Sequence, residues 1–141
     1  MFKTALKAIS TAALIAMSTA AFAGGDDDHM TQLKDIEWTQ FGNTPIHISV
    51  LWGDRDTGPY GMYLKMPGGF HVGEHGHSND YNAITVQGQW EHTRAGKKEV
   101  LPVGSHVMQP GQEFHDDACV GPKDCILLVV QNGKGDVLLP Q

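Results

Sequence analysis

Two histidines, His75 and His77, stand two residues apart in a stretch whose residues alternate like those of a strand. Side chains at alternate strand positions leave the same face of the pleat, so one ion can reach both imidazoles. Neutral imidazole is the commonest protein ligand for divalent transition metals. Taken alone, the pair fits equally well the ordinary case of two histidines on a solvated strand face. A closed metal site needs at least one further donor from elsewhere in the chain.

The surrounding spacing points to one. Gly69 precedes the pair and Gly88 ends the strand-like run that follows, while Gly104, Pro110 and His115 come later. This order resembles the two motifs of the cupin family. In the first, a glycine, a His-x-His pair, an acidic residue and a glycine follow one another; in the second, a glycine, a proline turn and a third histidine. The resemblance runs from about Met66 to Cys119. It implies an all-β jelly-roll barrel in which His75, His77 and His115 converge on one divalent transition metal, with Fe, Mn, Ni, Cu and Zn all open.

The chain also departs from the pattern. Where the family carries a glutamate four residues after the second histidine, this sequence has Tyr81. Three neutral ligands leave the full double charge of the ion in place, which favours anionic ligands or substrates. Asp80 is the adjacent carboxylate, but alternation aims it at the opposite face unless a bulge reverses the strand. Tyr81 is read as a hydrogen-bond donor to a bound ligand or as filling of the core. In the second motif Gln112 stands where a turn glycine is usual, so Gly111 is expected to serve the turn one position early.

Other residues of the two motifs have less certain chemistry. Glu113 shares strand parity with His115 and is a candidate general base, against the alternative of a solvated strand end. Cys119 and Cys125 are read as a disulfide closing a short loop, with separate thiols or a soft metal ligand as alternatives. His71 shares the parity of His75 but is four residues away, which places it at the barrel mouth at best. His106 is read as support for the site or ordinary packing, and surface or strand-pairing roles suffice for His47 and His92.

The elements that must position these groups are short strands. Ile46, Ile48, Val50 and Trp52 alternate with Pro45, His47, Ser49 and Leu51, and similar segments recur at residues 60–66, 70–77, 81–92, 99–103, 105–109, 113–118 and 125–131. Glycine and proline clusters separate them. Short strands between regular turn signals give an all-β barrel or sandwich, expected as one domain over residues 41–141 after a flexible segment at 24–40. Residues 30–41 fit either a short helix or a strand.

The first 23 residues read as a secretory signal peptide: Lys3 and Lys7, an apolar run, then Ala21, Phe22 and Ala23. Export to the periplasm or medium is therefore expected, with no membrane anchor after cleavage. The formal net charge is −6, and loss of a leader with two lysines and no acid makes the remainder more acidic still. Clustered basic residues are missing, which excludes the usual electrostatic route to nucleic acid. The expected partner is a small-molecule ligand or substrate, and an open barrel edge also favours a homodimer.

Three functions fit these residues. The first is a metal-dependent enzyme, dioxygenase-like or a related lyase or isomerase, acting on a small oxygen-rich or enolisable molecule. Three facial histidines on a six-coordinate ion leave three positions for substrate, oxygen or water. The second is a non-catalytic module that binds or senses a small ligand or the metal. The third is a metal-free structural barrel. The run from Trp52 to Gly61, the step from Asp80 to Tyr81 and the late cysteine pair resemble an exported cupin group of unassigned activity. More loosely, the missing glutamate is similar to that of three-histidine cupins that cleave β-diketones.

Overall fold

A computed structural model of the chain describes residues 30–141. The expected signal peptide at 1–23, and residues 24–29 of the expected flexible segment, lie outside the described residues. Nine strands follow a single 3-10 turn at Leu33–Asp35. They are β1 (Thr39–Gln40), β2 (His47–Gly53), β3 (Tyr60–Met66), β4 (Tyr81–Gln87), β5 (Gln89–Arg94), β6 (Lys97–Pro102), β7 (His106–Gln109), β8 (His115–Cys119) and β9 (Cys125–Gln131). Residues 30–41 thus hold both a helical turn and a strand, and pairing begins at Thr39, ahead of the boundary expected at 41.

The strands form two antiparallel sheets, one of six in the order β1-β2-β3-β9-β4-β7 and one of three in the order β6-β5-β8. Their inward faces follow the period of two. Tyr81, Ala83 and Thr85 of β4 are buried, as are Trp90 and His92 of β5 and His115, Asp117 and Cys119 of β8. Met62, Met66, Leu127 and Val129 complete an apolar core against Trp90, which is fully enclosed. The expected all-β jelly-roll architecture is the one found. Among the described residues no helix is long and apolar enough to cross a membrane.

Two turns show how local chemistry sets the register. The expected strand at 81–92 is divided by Gly88, whose φ of +80° is open to glycine, and where a Cβ would come within 2.7 Å of the Asp124 carbonyl. Gln112 itself adopts a φ of +63° in the turn before β8. The expectation that Gly111 would take over this conformation is therefore corrected. Gly111 is needed for a different reason: a Cβ there would stand 2.7 Å from the Ser78 carbonyl, on a chain that passes directly beside it.

The segment at 70–77 is the main departure. It is not a regular strand but runs beside β8 through isolated bridges, His71 with Ala118 and His75 with His115. The register slips by one residue between these bridges, at Gly73 with its φ of +92°. One slipped residue reverses the face a side chain takes. His71 consequently turns to solvent, where its Nε2 lies 2.7 Å from an Asp116 carboxylate oxygen, while His75 turns inward.

Candidate metal centre

His115 comes from β8, whose inward positions are fixed by pairing with β5. His75 is tied to it by a reciprocal pair of backbone hydrogen bonds of 2.9 and 2.8 Å. His77 follows two residues later, where Gly76 exchanges backbone bonds with Leu138. The three imidazoles each offer one nitrogen, and these nitrogens all lie within 4.8 Å of one another. The ring centroids are 5.1 Å apart for His75 and His77, 4.3 Å for His75 and His115, and 5.4 Å for His77 and His115.

The opposite ring nitrogens are held by the backbone. Nδ1 of His75 donates to the Gly73 carbonyl at 2.9 Å, and Nδ1 of His77 to the Asp136 carbonyl at 2.6 Å. His115 has its Nδ1 3.5 Å from the Glu113 carbonyl. A proton fixed on Nδ1 leaves the Nε2 lone pair free to ligate, the usual way a protein selects the metal-binding tautomer. Burial also holds the His75 and His77 imidazoles below the usual histidine range, against the opposing pull of those carbonyls. Converging imidazoles at the edge of the core are a donor set that suits divalent first-row metals.

Tyr81 is enclosed beside them. Its hydroxyl lies 3.2 Å from His115 Nε2, and its ring packs edge-on against His77. Burial, with the Asp117 charge adding to it, pushes this phenol well above its ordinary range, so it stays a neutral donor. Asp80 is placed elsewhere: its carboxylate accepts the Gly111 N–H at 2.7 Å and secures the turn before β8. Glu113 is likewise outside the site, exposed at the surface with a carboxylate oxygen 3.9 Å from Arg94. β8 begins only at His115, so Glu113 is not part of the strand on which its inward placement relied. Cys119 is bonded to Cys125, which removes it as a soft ligand.

The residue that the spacing did not single out is Asp117. Its Oδ1 accepts hydrogen bonds from the Trp90 indole at 2.7 Å and His92 Nδ1 at 2.8 Å. Its Oδ2 is 3.4 Å from His115 Nε2 and 3.7 Å from His75 Nε2. Donors bound to one ion at ~2.1 Å stand ~3.4 Å apart at the tetrahedral angle, so the free oxygen has the spacing of a neighbour in such a site. Burial alone would raise this carboxyl, but the adjoining His115 and His92 rings outweigh it and hold the group below the usual carboxylate range. The charge expected from the absent glutamate is thus returned from another strand. Strand parity carried the hint, since Asp117 is two residues past His115 and Trp90 precedes His92 by two.

The centre opens onto an interior cavity of about 270 Å³. His75, His77, Tyr81 and Asp117 form its polar end, and most of the remaining wall is apolar, including Ile46, Met62, Leu64, Leu127 and Val129. That volume lies near the lower end of ligand pockets, which span roughly 300–1,000 Å³.

Known proteins share this architecture. KdgF from Halomonas sp. is 19% identical over 72% of this chain and 90% of its own, with a TM-score of 0.59. The DMSP lyase DddQ from Ruegeria pomeroyi is 19% identical over 70% of this chain and 56% of its own, with a TM-score of 0.58. The anti-sigma ChrR of Rhodobacter sphaeroides, solved in complex with SigE, gives 21% identity over 72% of this chain and 51% of that one, with a TM-score of 0.58. No curated protein matches the sequence. The profile of the ChrR cupin-like domain, however, matches residues 26–134, and with the histidine-lined barrel this places the chain in the ChrR cupin-like family.

Proposed function

We propose that the chain is an exported metal-dependent enzyme of the oxygenase or related lyase or isomerase class, acting on a small oxygen-rich or enolisable molecule. One observation carries this reading: three imidazoles, a phenol and a buried carboxylate converge at one end of a small and largely apolar cavity. His75, His77 and His115 would hold a divalent ion, which would supply Lewis-acid polarisation. Tyr81 offers a hydrogen bond from its neutral hydroxyl to a ligand in the cavity and excludes water with its ring. Asp117, fixed by Trp90 and His92, balances positive charge beside His75 and His115. The apolar wall orients the rest of the molecule. Export is supported by the leader-like residues 1–23 and by the Cys119–Cys125 bond, since small disulfide-bonded domains belong to oxidising compartments.

A second reading, a binding or sensing module, has one observation in its favour. The carboxylate that sequence spacing offered as a base, Glu113, is outside the cavity, and Asp117 holds two donors through one of its oxygens. The likeness to ChrR, solved with its sigma factor, points the same way. Elemental analysis of protein recovered from its native compartment, followed by turnover assays with diketones, flavonoids and sugar acids under Fe(II), Mn(II), Ni(II), Cu(II) and Zn(II), separates the two. Metal near one per chain with turnover of a panel member supports the enzyme. Metal and retained ligand without chemical change support the module, and metal content unaltered by alanine at all three histidines removes both.

A further inference from the structure

The cavity has a second polar pole. Arg55 lies in the loop between β2 and β3, where Asp54 accepts the Asp56 N–H at 2.9 Å and the Gly58 N–H reaches the Asp54 carbonyl at 3.0 Å. The arginine carbonyl is fixed by the Gly135 N–H at 2.7 Å, and its guanidinium stands 4.9 Å from the centre of the Phe41 ring. Gly135 makes room for the side chain: a Cβ there would come 2.8 Å from Arg55 Cγ and 2.9 Å from Arg55 Nε. The arginine is therefore built into a cradle and lines the same cavity as His75, His77 and Tyr81.

What the cradle lacks is an anionic partner. Arg55 Nε is enclosed and has no hydrogen-bond partner, and among the described residues no carboxylate lies within 4.0 Å of this side chain. An enclosed guanidinium N–H without a partner costs about as much as a lost charged hydrogen bond. Folded proteins complete such a group with water, an ion or a ligand. The Tyr60 hydroxyl oxygen beside Arg55 can accept from the guanidinium as a neutral group but is no counter-ion, because burial pushes its ionisation up and its proton is given to Gln131 at 2.7 Å. Asp136 also lines the cavity, but its carboxylate is engaged by the Ser78 N–H at 2.8 Å and by the Ser78 hydroxyl.

We propose that Arg55 anchors the carboxylate of a small monocarboxylic substrate whose apolar body crosses the cavity and whose far end meets the three-histidine centre. The planar fork of a guanidinium matches a carboxylate in a way no ammonium does. Glu74 and Asp136, both on the cavity wall, oppose a polyanion and favour a single negative charge. The substrate class deepens the enzymatic reading above and rests on it, but the anchor is measurable apart from turnover.

The test is calorimetric titration of Zn(II)-loaded protein with butanoate and with butanamide, on the wild type and on Arg55→Gln and Arg55→Lys, with zinc content measured throughout. The wild type should bind butanoate about tenfold or more tighter than butanamide. Arg55→Gln should abolish that preference with zinc content unchanged, and Arg55→Lys should retain part of it. Equal binding of acid and amide by the wild type overturns the proposal. So does a preference that survives in Arg55→Gln, which would mean that the metal alone holds the carboxylate. Should Arg55→Gln fail to fold, the wild-type ratio and Arg55→Lys still decide. If the wild type retains no zinc, the metal reading fails, and the same titrations on the metal-free protein judge the anchor by itself.

Discussion

His115 and the His75–His77 pair reach the same point by different means. His115 rides on a regular strand, 2% exposed, with β5 paired along one side and the 70–77 segment along the other. The pair sits on a slipped segment whose geometry depends on Gly73 and on backbone partners at Asp136 and Leu138. One ligand is therefore placed by the barrel itself, while the other two sit on a segment that is not a regular strand. A site built this way separates into a part that fails only when the fold fails and a part that can be loosened alone.

The largest effect should come from removing the strand-borne ligand. His115→Ala is expected to lower bound metal, measured by elemental analysis, to less than about a tenth of one per chain, since two donors do not hold a divalent ion. Leu138→Pro removes the N–H that reaches the Gly76 carbonyl. It should weaken metal affinity about 10–100-fold, as loss of ligand support typically does, with little change in the unfolding midpoint. Equal loss of stability in both variants would break the comparison.

Next in size is the carboxylate beneath the ligands. Asp117→Ala leaves the Trp90 indole and His92 without an acceptor, and denaturant unfolding should show a loss of about 3 kcal/mol. Replacing Cys119 and Cys125 together with alanine reopens a short loop and should cost about 2 kcal/mol by chain entropy, with metal affinity unchanged. Gly73→Ala should be the mildest. A Cβ there meets no atom within 4 Å, so the cost is that of a positive φ, about 1 kcal/mol, and its effect should fall on metal affinity through the pair.

The same division explains what the sequence made legible. Period-two alternation located β2, β3, β7 and β9 closely, and motif spacing brought His75, His77 and His115 together because each motif glycine and proline marks a turn that the barrel needs. Parity arguments hold only while a strand stays regular. They left Glu113 between a base and a solvated strand end, and it is the solvated end because β8 begins only at His115; nor could they show that His71 would face solvent once the register slips at Gly73. His92 was passed over for a different reason. Its importance lies in a carboxylate that alternation places inward on β8 and in a cross-strand pairing, His92 opposite Asp117, that no local pattern announces. The supports at Asp136 and Leu138 are more remote still, being contacts between segments with no shared periodicity.

That remoteness bears on how the centre is assembled. The carbonyl that orients His77 belongs to a residue 59 positions later, so ribosomal synthesis must deliver Asp136 before the imidazole can be aimed. An ion met by a partly emerged chain would find freely rotating histidines. A metal bound here would thus be selected in whichever compartment hosts the final docking of residues 136–138, from the ion pool of that compartment.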